Sequence, residues 1–203
     1  TTDIDDLHLD RLNSYYRPLV DLARLFISQS TVELTHDRLQ TFSFLFDMGE
    51  LFEQFIAGFI RKNRVKLLPE ESRVKYHDRS KYLIDLPKQI FTLEPDMLVS
   101  CNGQKLIIDT KYKILDPKER NLGISQPDLY QVIAYAMKHQ CLNVVLLYPA
   151  HLLTYVEGEP YVTCCYGKEI KIFVRTINLN IDMQTQKQTL IDELKLVSSC
   201  LFS

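Results

Sequence analysis

The chain has 203 residues, 46% of them hydrophobic and 25% charged, with a formal net charge of −2. That is enough for one domain with a substantial core, and it excludes a disordered or fibrous chain. No apolar run approaches the ~20 residues that span a bilayer, so no membrane association is expected. A pure DNA-binding module usually carries a basic surplus. The near-neutral charge argues against one, and argues less against an enzyme whose bound cations supply the positive charge locally.

The N-terminus begins Thr1-Thr2-Asp3-Ile4. It has neither an initiator Met nor the basic-then-apolar layout of a secretory signal, and it reads as a trimmed or excised domain. The five cysteines (Cys101, Cys141, Cys164, Cys165 and Cys200) are odd in number and form no CxxC pair. A disulfide framework or zinc site is therefore not expected, and reduced thiols in the cytoplasm are.

In chain order, the first third reads helical. Residues 12–27 place Leu19, Leu22, Leu25 and Phe26 on one face, with Pro18 near the first turn. A second helix is predicted over 44–62, its stripe formed by Leu51, Phe52, Phe55, Ile56, Phe59 and Ile60. Arg61, Lys62 and Arg64 fall at its C-terminal end, where cations suit the helix dipole. Beyond Lys66 short apolar runs punctuated by Pro, Gly and Asn predict strands over 91–101, 105–112, 143–148, 160–165 and 170–176. A helix over 126–140 is opened by Ser125 as cap and Pro127 near its first position. A last amphipathic helix covers 189–200. The order predicts one α/β domain with a central mixed sheet flanked by helices. Residues 1–43 would be an N-terminal helical segment packing on a core of 44–203.

The most informative stretch is Asp96-Met-Leu-Val-Ser-Cys-Asn102-Gly103-Gln-Lys-Leu-Ile-Ile-Asp109-Thr110-Lys111. Asn-Gly between two apolar runs signals a two-residue type I′ hairpin. With that turn at the tip, residues whose numbers sum to 205 face each other. Asp96 then faces Asp109 on one side of the sheet, Cβ atoms ~5 Å apart, and Lys111 projects from the same side. Met97 and Val99 fall on one face, Leu98 and Ile107 on the other, so the strand pair is buried on both sides. A single strand-end Asp is normally an ordinary surface charge. Two carboxylates and a lysine on one face of an apolar hairpin need a partner. A divalent cation would serve, since Mg²⁺ takes one or two carboxylates plus waters and phosphate oxygens. Lys111 could orient a water or stabilise charge on a phosphate.

The flanking helices add candidates. Glu53 borders the stripe of its helix with Ile56 and Ile60, while Glu50 aligns with Gln54 and Arg61 on a wetter face. Gln131 and Tyr135 are one turn apart and present together, with Asp128 close by and Lys138 a turn later. The histidines (His8, His36, His77, His139 and His151) show no ligand spacing and read as surface or edge residues. Tyr15, Tyr16, Tyr112, Tyr130 and Tyr148 could stack on bases, though such residues more often pack at core edges. Lys111, Lys113, Lys118 and Arg120 form a modest basic cluster suited to phosphates. Neither a Gly-rich phosphate loop nor local support for a Ser-His-Asp site is present.

These residues resemble a known family. Pro95-Asp96 with Asp109-Thr110-Lys111 resembles the PD-(D/E)xK nuclease signature. Glu53 and Gln131-xxx-Tyr135 resemble the accessory positions of its RecB-like branch. The strings LFEQFI, LEPDMLV, IIDTKYK and QPDLYQVIAYA are similar to the nuclease domain of McrC, the cleavage subunit of McrBC-type modification-dependent restriction systems; the likeness covers residues 44–148. The resemblance implies a restriction-endonuclease-like core that hydrolyses phosphodiester bonds in double-stranded DNA with Mg²⁺, Mn²⁺ being the alternative. It implies that Asp96 and Asp109 hold the metal with the Thr110 carbonyl as third ligand, and that Glu53 completes or supports the shell. Lys111 would orient the attacking water. Gln131, Tyr135, Tyr112 and Lys113 would position the DNA backbone or support the ligands. It also implies a McrB-like AAA+ GTPase partner and allows a dimer on DNA. No clear room exists for the full N-terminal region that engages such a partner, which is then removed or shortened. The competing readings are a RecB-like repair or processing exonuclease and a non-cleaving DNA-binding domain of the same fold.

Overall fold

The computed structural model describes residues 20, 47–150, 156 and 158–202. The chain divides into two units, Thr1–Phe46 and Asp47–Ser203. The helical segment expected over 1–43 lies outside the described residues.

The second unit opens with helix α1, Met48–Lys62. It starts at Met48, not Phe44, because Asp47 is extended and its carboxylate accepts from the Gly49 and Glu50 amides at 2.8 and 3.2 Å. Such a cap satisfies donors that the first turn leaves unpaired. A four-residue helix α2 follows, Arg64–Leu67. Then come β1 (Arg73–Tyr76), β2 (Lys81–Ile84), β3 (Ile90–Leu93), β4 (Met97–Cys101) and β5 (Gln104–Thr110). Helix α3 (Gln126–His139) begins where expected, with Ser125 capping the Asp128 amide. Strands β6 (Asn143–Pro149), β7 (Tyr161–Cys165) and β8 (Lys168–Ile177) and helix α4 (Lys187–Ser199) complete the order.

Six strands form one mixed sheet in the order β1-β4-β5-β6-β8-β7. The β5–β6 and β6–β8 pairs are parallel, the remainder antiparallel. The single run expected over 91–101 is two strands in two sheets: β3 pairs with β2 in a separate ribbon, β4 with β1 and β5. Pro95 stands between them and cannot donate to a ladder. Strands β1 and β2 were not anticipated; four residues each, mixing basic and apolar side chains, they are too short to establish a period.

The register is the expected one. Met97 pairs with Ile108, Leu98 with Ile107 and Cys101 with Gln104, around a turn in which Asn102 and Gly103 both have positive φ, 48° and 82°. That is the requirement of a type I′ turn. One face of the sheet, with Met97, Val99, Leu106 and Ile108, packs on Phe52 and Ile56 of α1 and Leu190 and Leu194 of α4. The other, with Leu98, Ile107 and Leu146, packs on Val132, Tyr135 and Ala136 of α3. Alternation along doubly buried strands assigns every core residue to one layer or the other. No helix among the described residues is long and apolar enough to cross a membrane.

Candidate functional site

Asp96 precedes β4 and Asp109 lies near the end of β5, one step beyond the last rung, Met97–Ile108. Strand alternation puts both on the α3 side. The Asp96 carboxylate leans across to β5: its Oδ2 accepts from the Thr110 amide and the Thr110 hydroxyl, each at 2.7 Å. Its other oxygen, Oδ1, remains for a ligand. Thr110 thus fixes Asp96 directly, beyond any use of its carbonyl.

Asp109 is 1% exposed, and its Oδ1 has no hydrogen-bond partner. Its counter-charge is the Lys111 ammonium, which forms an ion pair with Oδ2. Burial, then repulsion from Asp96, pushes the Asp109 carboxyl up to about 7, against the pull of Lys111. Two carboxylates beside each other, one of them buried, are costly even with one ammonium against the buried one, and a hard divalent cation is a partner that relieves that cost. The donor set fits such an ion: Oδ1 of Asp96 and the oxygens of Asp109. No three His, Cys, Asp or Glu side chains converge into a closed cage among the described residues. Mg²⁺ ordinarily keeps several waters, so an open site suits it.

Glu53 reaches the site's edge from α1, on the opposite layer. Burial raises its pKa first and the nearby Asp96 carboxylate adds to this, while His77 and Lys111 oppose. Glu50 is solvent-facing and accepts from Gln54 at 2.8 Å, as its helical position indicated.

Gln131 and Tyr135 act as a relay. Gln131 Nε2 donates to the Tyr135 hydroxyl at 2.8 Å, and that hydroxyl donates to the Glu94 carbonyl at 3.1 Å. The pair therefore grips the backbone immediately before Pro95-Asp96. Burial, then the negative charge of Asp109, pushes the Tyr135 phenol up to about 12, so it stays a donor.

Two other candidates stand apart from the carboxylates. Tyr112 packs against Phe52, ring centroids 5.9 Å apart, in an apolar groove of about 330 Å³ with Met48, Leu51 and Phe55. Lys113 is committed to α3: its ammonium lies 2.6 Å from Asp128. Burial works to raise the Asp128 pKa, but the hydrogen bonds from Lys113 and Ser125 prevail and hold it low. Tyr148 is a core residue, 1% exposed. Lys138 pairs with Asp85 at 2.6 Å and ties the β2–β3 ribbon to α3.

Of the two described histidines, His77 is exposed, in line with its lack of ligand spacing, and His139 is not. His139 is buried in the last turn of α3, and desolvation lowers its pKa. His77 follows β1 and stands between two carboxylates, Nε2 being 3.2 Å from Glu53 and Nδ1 3.4 Å from Glu94. Arg79 holds the same Glu94 oxygen at 2.8 Å. No sequence signal pointed to His77 or Arg79, because their partners come from α1 and the β3–β4 connection, distant in the chain.

A family model described as "McrBC 5-methylcytosine restriction system component" matches residues 1–149. No curated protein matches the chain. Among solved structures, a chain of the refined half-complex from the tetradecameric assembly of Thermococcus gammatolerans McrB AAA+ hexamers with bound McrC aligns with a TM-score of 0.61 at 19% identity. The alignment covers 96% of this chain and 41% of that one, so this chain spans about two-fifths of that chain's length. At that identity the likeness speaks to the fold, whereas the family match covers most of the sequence: the chain belongs to the McrBC 5-methylcytosine restriction system component family.

Proposed function

We propose that this unit is the metal-dependent DNA endonuclease of a McrBC-like restriction system, with a PD-(D/E)xK core. The observation that carries this reading is Asp109: a buried carboxylate whose Oδ1 has no hydrogen-bond partner, with Asp96 beside it and the Lys111 ammonium on Oδ2. Perturbed carboxylates of this kind concentrate at functional sites.

Asp96 and Asp109 would hold Mg²⁺ (Mn²⁺ being the alternative), with the Thr110 carbonyl as further donor and Glu53 in support. When bound, the cation supplies Lewis-acid polarisation of a phosphodiester and lowers the pKa of a coordinated water. Lys111, 16% exposed at its side chain and anchored on Asp109, is held where it can orient a water and stabilise charge on a phosphate oxygen. Thr110 keeps Asp96 from rotating away, and Gln131 and Tyr135 hold the turn that delivers it. Double-stranded DNA is the substrate, and a dimer on DNA would cut both strands. The partner would be a McrB-like AAA+ GTPase, as in the complex of McrB hexamers with McrC to which the fold is similar. Family membership favours restriction over a RecB-like processing role.

The test is Asp109→Ala, assayed on DNA with Mg²⁺ and the cognate GTPase. Loss of cleavage by about three orders of magnitude or more is expected, since the variant removes a metal-binding carboxylate. Cleavage at the wild-type rate would overturn the reading.

A further inference from the structure

Glu53 faces a difficulty that the two aspartates do not. It extends from α1, packed on the opposite layer of the sheet, and its Oε1 is buried with no aligned hydrogen-bond donor. Asp96 repels it. A glutamate loses rotamer freedom when fixed, and like charge on its neighbour favours a swing toward water. Something must hold it inward.

The group within reach is His77. Its backbone amide donates to the Asp96 carbonyl at 3.1 Å, extending the β1–β4 ladder by one step. Its φ of 49° ends the strand there; histidine tolerates that region better than most residues. The imidazole then spans two carboxylates, 3.2 Å from Glu53 and 3.4 Å from Glu94. Glu94 is itself anchored twice, its side chain by Arg79 at 2.8 Å and its carbonyl by Tyr135 at 3.1 Å. The ring that faces the anchored Glu94 thus also lies against the Glu53 carboxylate. The same residue donates to the Asp96 carbonyl from its backbone and sets its ring against Glu53.

We propose that His77 is a positioning residue that holds the Glu53 carboxylate beside Asp96 for cation binding, an inference that rests on the nuclease reading above. Residues that orient metal-binding groups typically change metal affinity or activity 10–100-fold when removed.

The discriminating variant is His77→Asn, because Asn accepts a left-handed backbone while removing the imidazole bridge. Two readouts are needed on the full chain: thermal stabilisation by Mn²⁺ alone, and the Mg²⁺ dependence of DNA cleavage with the partner present. The expected result is a roughly tenfold rise in the half-saturating metal concentration in both, with the rate at saturating metal within about threefold of wild type. Glu53→Gln should give a similar shift, and the double variant should be no worse than Glu53→Gln alone, the signature of two groups acting as one. Rescue by His77→Gln, whose amide can still reach a carboxylate, would support the role. An unchanged metal midpoint in His77→Asn, or a shift fully additive with Glu53→Gln, would overturn the proposal. Failure of both His77 variants to fold would make the residue structural and overturn it too. Retained cleavage in Asp109→Ala would instead defeat the underlying nuclease reading.

Discussion

The two ends of the central sheet make opposite use of charge. At the N-terminal ends of β5, β6 and β8, a cleft of about 560 Å³ is lined by Gln104, Lys105, Asn143, Lys168 and Lys171. Lys105 donates to the His139 carbonyl at 2.6 Å, and Lys168 is exposed to water. Five residues beyond Gln104 along β5, ~17 Å away at strand rise, the Asp109 carboxylate is buried, with Lys111 on Oδ2 and no hydrogen-bond partner for Oδ1. This cleft thus lies at the end where Lys105 is satisfied by backbone and Lys168 by solvent. A cleft follows from where strands and helices stop, whereas a buried carboxylate beside a second one costs stability and persists where chemistry needs it. The carboxyl ends of parallel strands are also where ligands bind in open α/β sheets.

That contrast can be broken most sharply with lysines. Lys111→Ala should slow DNA cleavage by about 100-fold or more at saturating Mg²⁺, the usual cost of one transition-state donor, whereas Lys105→Ala should change the rate less than about twofold. Equal effects in single-turnover assays would erase the distinction between the two ends.

Next comes Asp109→Asn, read as stability. The Asp109 carboxyl sits at about 7 in the folded chain against an ordinary aspartate value of 3.8. Because the fold favours the protonated form, stability is fully present below the unfolded value and is lost as pH rises from about 4 to 7. In chelator at pH 8, Asp109→Asn should therefore be more stable by about 1–3 kcal/mol, net of the lost ion pair with Lys111, with the gain fading by pH 4. Chemical denaturation at both pH values checks this, and a destabilised variant at pH 8 would show that Lys111 already neutralises the site.

Smaller effects test the frame. Tyr135→Phe removes the hydrogen bond to the Glu94 carbonyl and should cost about 1 kcal/mol, a several-fold loss of cleavage rate or metal affinity; an unaffected variant would mean that the turn before Asp96 is held without α3. Gly103→Ala, at φ 82° with open space for a methyl group, should lower stability by about 1 kcal/mol through backbone strain alone. Its cleavage rate should stay near wild type, since the residue lies at the far end of the hairpin.

The hairpin was legible because its rules are local. Asn102-Gly103 sets the turn, the turn sets the register, and a period of two sets the faces, so Met97–Ile108 pairing and the sidedness of the core follow from the order of residues. Helix α3 was legible for the same reason, through Ser125 and Pro127. The break between β3 and β4 was less so: Pro95 marks it, but nothing local says that the two strands join different sheets. What the residue order determined by itself was which groups share a strand face or a helix turn: Asp96 with Asp109 and Lys111, Gln131 with Tyr135. Only the tertiary structure decided what those groups touch, because Tyr135 on Glu94, Thr110 on Asp96, and His77 between Glu53 and Glu94 join elements distant in the chain. Their meeting depends on helix packing and strand order, which no local periodicity encodes.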